Sequence, residues 1–78
     1  MARIALEANG SVEAVTRLMK LADERGFAVH VDNPATVETG SGRIELEPPI
    51  IDEQPLAHAA VQALIEQVPG GPAAFTIV

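Results

Sequence analysis

The sequence predicts an α+β domain of the ferredoxin-like βαββαβ type, a four-stranded antiparallel sheet with two helices on one face. Three observations carry this. Short segments of alternating apolar and polar residues open and close the chain, two segments of helical period lie between them, and Pro- and Gly-rich breaks separate the pieces. The order is strand, helix, strand, strand, helix, strand, which two helices over one sheet face can close. Residues 1–78 are expected to form a single complete domain.

The first strand is residues 2–7. Ile4 and Leu6 point one way, and Arg3, Ala5 and Glu7 the other. Asn9-Gly10-Ser11 is a turn with Ser11 placed to cap a helix. Residues 12–25 have helical spacing, with Val12, Val15, Leu18, Met19 and Ala22 on one stripe. Glu13 and Arg17 stand one turn apart in the favourable order. Arg25-Gly26 supplies a cation and then a residue free to turn left-handed, which stops the helix.

Residues 27–32 alternate again, with Phe27, Val29 and Val31 on one face and Ala28, His30 and Asp32 on the other. Pro34 cannot donate to a sheet ladder, so this strand is expected at an edge. Continued through the proline, it reaches a two-residue Gly40-Ser41 turn that pairs Thr39 with Gly42. That register sets Val37 opposite Ile44 and Glu38 opposite Arg43. The next strand, 43–47, buries Ile44 and Leu46. A competing arrangement pairs residues 2–7 and 27–32 in parallel and lets 35–47 project as a hairpin.

Pro48-Pro49 ends the strand. Residues 52–68 are expected to be helical, capped by Asp52, with Pro55 tolerated in the first turn. Leu56, Ala60, Val61, Leu64 and Val68 form its apolar face, and His58, Gln62 and Glu66 a polar stripe. Pro69-Gly70-Gly71-Pro72 stops it, and 73–78 is a last strand with Phe75 and Ile77 on one face.

The composition excludes several functions. The 78 residues carry five Lys/Arg and eleven Asp/Glu for a net charge of −6, with no Cys, Trp or Tyr and two Phe. Without cysteine there is no disulfide framework, thiol enzyme or Cys-ligated zinc module. A negative chain with few rings is unsuited to nucleic acid, and the open sheet face lacks the aromatics of an RNA-recognition motif. No apolar run is long enough to span a membrane, and Glu7 and Asn9 break any signal-peptide core. The expected compartment is the cytoplasm.

No residues assemble into a catalytic constellation, so the chain is expected not to be an enzyme and to need no cofactor or metal. His30 and Asp32 share a strand face but have no nucleophile beside them. His58, Gln62 and Glu66 offer a metal too few strong ligands. Gly40-Ser41-Gly42-Arg43 lacks the GK[ST] ending of a phosphate loop.

Charge is uneven. Residues 1–43 hold five cations and six acids, a net of −1, whereas 44–78 hold five acids and no cation, a net of −5. Glu45, Glu47, Asp52, Glu53 and Glu66 are therefore the expected partner-binding residues, forming an acidic patch suited to a basic protein surface. The expected function is protein–protein interaction of a regulatory or inhibitory kind, with a protein partner or a second copy.

A second reading rests on one corner. Asn9-Gly10-Ser11 joins a strand to a helix N-terminus, where backbone N–H groups can hold an anion. Its position is similar to the effector corner of ACT domains, small regulatory modules that bind amino acids at subunit interfaces. The resemblance, which covers only strand order and this turn, implies an amino-acid site at Asn9, Gly10 and Ser11.

Overall fold

The computed structural model describes residues 2–50 and 53–78. The chain runs β1 (Ile4–Asn9), α1 (Val12–Glu24), β2 (Ala28–Val31), α2 (Ala35–Thr39), β3 (Ser41–Glu47), α3 (Gln54–Ile65), a 3-10 turn (Gly71–Ala73) and β4 (Phe75–Ile77). It is an α+β fold whose four strands form one antiparallel sheet in the order β2-β3-β1-β4. Since β3 lies between β1 and β2, there is no parallel β1–β2 pair and no projecting hairpin.

Pairing brings like faces together. Ile4 lies opposite Leu46, and Leu6 opposite both Ile44 and Ile77. These inward residues join the buried sides of α1 (Ala14, Val15, Leu18, Ala22) and α3 (Ala57, Val61, Leu64, Ile65) in one apolar cluster. Leu6, Leu18, Ile44, Leu46 and Leu64 are sealed from water within it. At about 25 cal/mol per Å² of apolar area, such side chains dominate the stability of so small a chain.

α1 forms as the sequence predicts. The Ser11 hydroxyl accepts from the Ala14 N–H at 3.1 Å, and Gly26 turns left-handed at φ 78°. Its stripe is rotated slightly, because Ala14 is buried where Val12 was expected and Val12 is exposed.

The link between β2 and β3 corrects the expected hairpin. Asn33 Oδ1 accepts from the Ala35 N–H at 3.0 Å, Pro34 takes helical angles, and Ala35–Thr39 close the short helix α2. Gly40 ends it at φ 75°. Asn-Pro has acted as a helix start, and Gly40 as its left-handed stop. The observed register pairs Val31, not Val37, with Ile44, and the acid set opposite Arg43 is Glu7 of β1, not Glu38. β2 remains a sheet edge, as Pro34 implied.

The α2–β3 corner packs against the β1–α1 corner. The Gly10 N–H donates to the Gly40 carbonyl at 2.8 Å. A Cβ on Gly40 would lie 2.5 Å from the Ser11 carbonyl carbon and the Val12 nitrogen. Only glycine permits that approach.

α3 is shorter than the expected 52–68 and differently phased. Glu53 occupies the N-cap position, and Pro55 lies in the first turn. The expected cap, Asp52, falls outside the described residues. Past Ile65 the bonds tighten, with Gln67 N–H donating to Leu64 and Val68 N–H to Ile65. Ala57 and Ile65 take inward positions, whereas Leu56, expected inside, is 57% exposed. β4 is likewise shorter than 73–78, and Ala74, expected on the open face, is buried in the turn before it.

Candidate functional site

The sheet face away from α1 and α3 carries a compact charge network. Arg3 lies 3.7 Å from Glu45 and 3.9 Å from Glu47, Arg43 lies 3.8 Å from Glu45, and His30 Nε2 lies 3.7 Å from Glu47. Strand alternation sends these side chains outward because Ile4, Ile44 and Leu46 point inward. His30 therefore faces Glu47, and Asp32 lies beyond the end of β2. His30 Nε2 is shielded from solvent and makes no hydrogen bond.

This arrangement divides the predicted acidic patch. Glu45 and Glu47 lie on the open face, each with arginine beside it. Glu53 and Glu66 flank α3, on the opposite side of the sheet, and both are exposed. Asp52 lies outside the described residues. Neutralised in part and spread over two faces, the described acids do not converge.

At the Asn9–Ser11 corner the polar groups are already engaged. Asn9 Nδ2 donates to the Ala73 carbonyl at 3.1 Å and to Thr76 Oγ1 at 3.3 Å. Gly10 N–H is bound to Gly40, and the Ser11 hydroxyl caps α1. An open groove of about 350 Å³ runs from this corner to Pro69 and Gly70. Among the described residues, no three His, Asp or Glu side chains are grouped to hold a metal ion.

A mainly apolar concavity lies between α3 and the outer edge of β4. Ile65, Phe75, Ile77 and Pro72 line a cleft of about 340 Å³, with His58 and Gln62 along one rim. His58 and Gln62, adjacent on the predicted polar stripe, thus share the rim of the cleft beside β4 while both remain exposed.

The backbone of β4 gives the cleft its character. Asn9 N–H donates to the Ala74 carbonyl at 2.9 Å and Val78 N–H to the Ala5 carbonyl at 3.0 Å. Antiparallel alternation then turns the polar backbone groups of Ala74, Thr76 and Val78 toward β1. Those of Phe75 and Ile77 turn outward, along the free edge of the sheet. Two N–H and two C=O groups thus face the cleft without a strand beside them.

The surroundings are sparsely charged, with Glu7 opposite Thr76 on the neighbouring strand. Residues 54–78 carry one of the chain's eleven acids, Glu66, and none of its five cations. α1 exposes Glu13, Arg17, Lys20, Asp23 and Glu24, whereas α3 contains no Asp, Glu, Lys or Arg. Its outer positions are occupied by Pro55, Leu56, His58, Ala59, Gln62 and Ala63. Dividing the sequence at Gln54 rather than Ile44 exposes this neutral block in the composition.

No family model matches the chain, and no curated protein or solved structure is significantly similar to it. Among the described residues no helix is long and apolar enough to cross a membrane.

Proposed function

We propose that this is a non-enzymatic protein-interaction domain that accepts an extended strand along β4. The observation carrying the reading is the unpaired, uncharged edge of β4 beside the apolar cleft under α3. An added strand would gain backbone hydrogen bonds from Phe75 and Ile77 and place alternate side chains against Ile65 and Pro72. Sheet edges are ordinarily guarded by charge, proline, a bulge or a very short strand. β4 carries no charge, proline or bulge, and its length of three residues is its one guard.

The same reading treats the fold as ferredoxin-like, with α2 as an insertion between β2 and β3. It assigns the domain a regulatory or inhibitory role in the cytoplasm, acting on proteins rather than nucleic acid or membrane. The net charge of −6 favours that choice, because phosphate backbones and anionic lipids repel it.

Selection from a random heptapeptide display library tests the reading. The expected binders are extended sequences rich in β-branched and aromatic residues. Their binding should vanish in Ile77→Pro, which removes one outward N–H while sparing the β1 ladder. Failure to select binders, or binders indifferent to that variant, would overturn the reading.

A further inference from the structure

We infer that the strand received by β4 is β4 of a second copy, joined in a two-fold antiparallel dimer. The inference rests on the strand-acceptor reading above and names the partner of that site.

The first support is the parity of the edge. The outward residues are Phe75 and Ile77, with Thr76 between them turned to β1. An antiparallel copy centred on Thr76 sets Phe75 opposite Ile77 of the partner and Ile77 opposite Phe75. Each of these pairs exchanges N–H···O=C bonds in both directions, so all four free groups are satisfied at once. The same patch serves both subunits, as an isologous two-fold interface requires. The two sheets join into one of eight strands.

Charge supplies the second support. Each copy carries −6, so association is disfavoured wherever acids meet. Residues 67–78 contain no ionisable side chain, and α3 contains none but His58. Two copies therefore meet along the flank where repulsion is least. The other edge is more heavily charged: β2 contains His30, lies beside Glu45 and Glu47, and is followed by Asp32, whereas β4 has one acid beside it, Glu7 opposite Thr76.

Area completes the argument. A standard interface takes about 800 Å² from each partner, more than three residues of edge strand offer. Since α3 lies on one sheet face beside β4, the two-fold axis brings α3 of each copy toward the other across the joined cleft. The flank bearing His58 and Gln62 becomes the second layer of contact. A helix without a charged side chain is suited to burial and poorly suited to solvent.

The geometry puts Thr76 directly opposite Thr76 of the second copy, as a pair that exchanges no hydrogen bonds and whose side chains approach closely. Thr76→Lys and Thr76→Glu should each weaken self-association at least about tenfold, through like charges face to face. An equimolar mixture should restore it as a heterodimer, read by sedimentation velocity with circular dichroism as the check on folding. Thr76→Cys should form a disulfide dimer under mild oxidation, in a chain with no other cysteine. Dimerisation of the unmodified chain, lost in each charged variant and regained on mixing, supports the inference.

A chain that stays monomeric to millimolar concentration overturns it, as does a dimer indifferent to both charges. In the monomeric case, peptides selected in an Ile77-dependent manner leave the strand-acceptor reading standing. Absence of such peptides from a monomeric chain removes both.

Discussion

Gly40 and Gly26 form a matched pair that isolates the cost of a close backbone approach. Both are left-handed, at φ 75° and 78°. A Cβ at Gly26 meets nothing nearer than Pro49 Cγ at 3.7 Å, an ordinary contact, whereas one at Gly40 meets Ser11 and Val12 backbone atoms at 2.5 Å. Gly26→Ala should therefore lose only the left-handed penalty, about 1–2 kcal/mol. Gly40→Ala adds overpacking of about 1–3 kcal/mol against backbone that α1 holds in place, for a total of about 2–5 kcal/mol. Any gain from restricting the unfolded chain is common to both and cancels. At about 0.05–0.15 kcal/mol per residue, a 78-residue chain has about 4–12 kcal/mol to lose. Urea unfolding of the three proteins at one concentration measures the difference. Equal losses, within about 0.5 kcal/mol, would refute the packing of α2's end on the start of α1.

Three further outcomes follow from the core and the surface. Leu64→Ala should cost about 2–5 kcal/mol, and Leu56→Ala less than about 0.5 kcal/mol, since one is sealed and the other 57% exposed; thermal melts of the two variants check the phase of α3. Ser11→Ala should cost about 1 kcal/mol through loss of the cap on Ala14, read from the urea midpoint. Arg3→Ala should cost less than about 1 kcal/mol, because Arg3 is half-exposed and its contacts at 3.7 and 3.9 Å are loose. That loss should shrink further in high salt.

Much of the fold was legible where the periodic signal was long. α1 announces itself by thirteen residues of helical spacing between a serine cap and a glycine stop. Ile4, Leu6, Ile44 and Leu46 give the inward face of the central strands by simple alternation. The β2–β3 link was misread because a five-residue helix is too short to show a period, and Gly-Ser-Gly also suits a hairpin. The cues that decide it are Asn33-Pro34 before and Gly40 after, which together make a start and a stop. Leu56 was misplaced because Ala57 and Ile65 fix the helix phase, and one side of α3 is nearly as apolar as the other.

The candidate site was legible only in part. The acids were visible but not their division between two sheet faces, which depends on pairings distant in sequence. The neutral block from Gln54 to Val78 was present in the composition, interrupted only by Glu66. That it borders a free sheet edge follows from strand order, which alternation alone cannot supply.

Amide hydrogen exchange at Phe75 and Ile77 is the most direct probe of the proposed edge. These two N–H groups should exchange rapidly in dilute protein and slow as concentration rises, while Thr76, bonded to β1, stays protected throughout. Rapid exchange at both positions at every concentration, or protection of both in the dilute monomer, would contradict the assignment of β4 as an open edge that closes on a second copy.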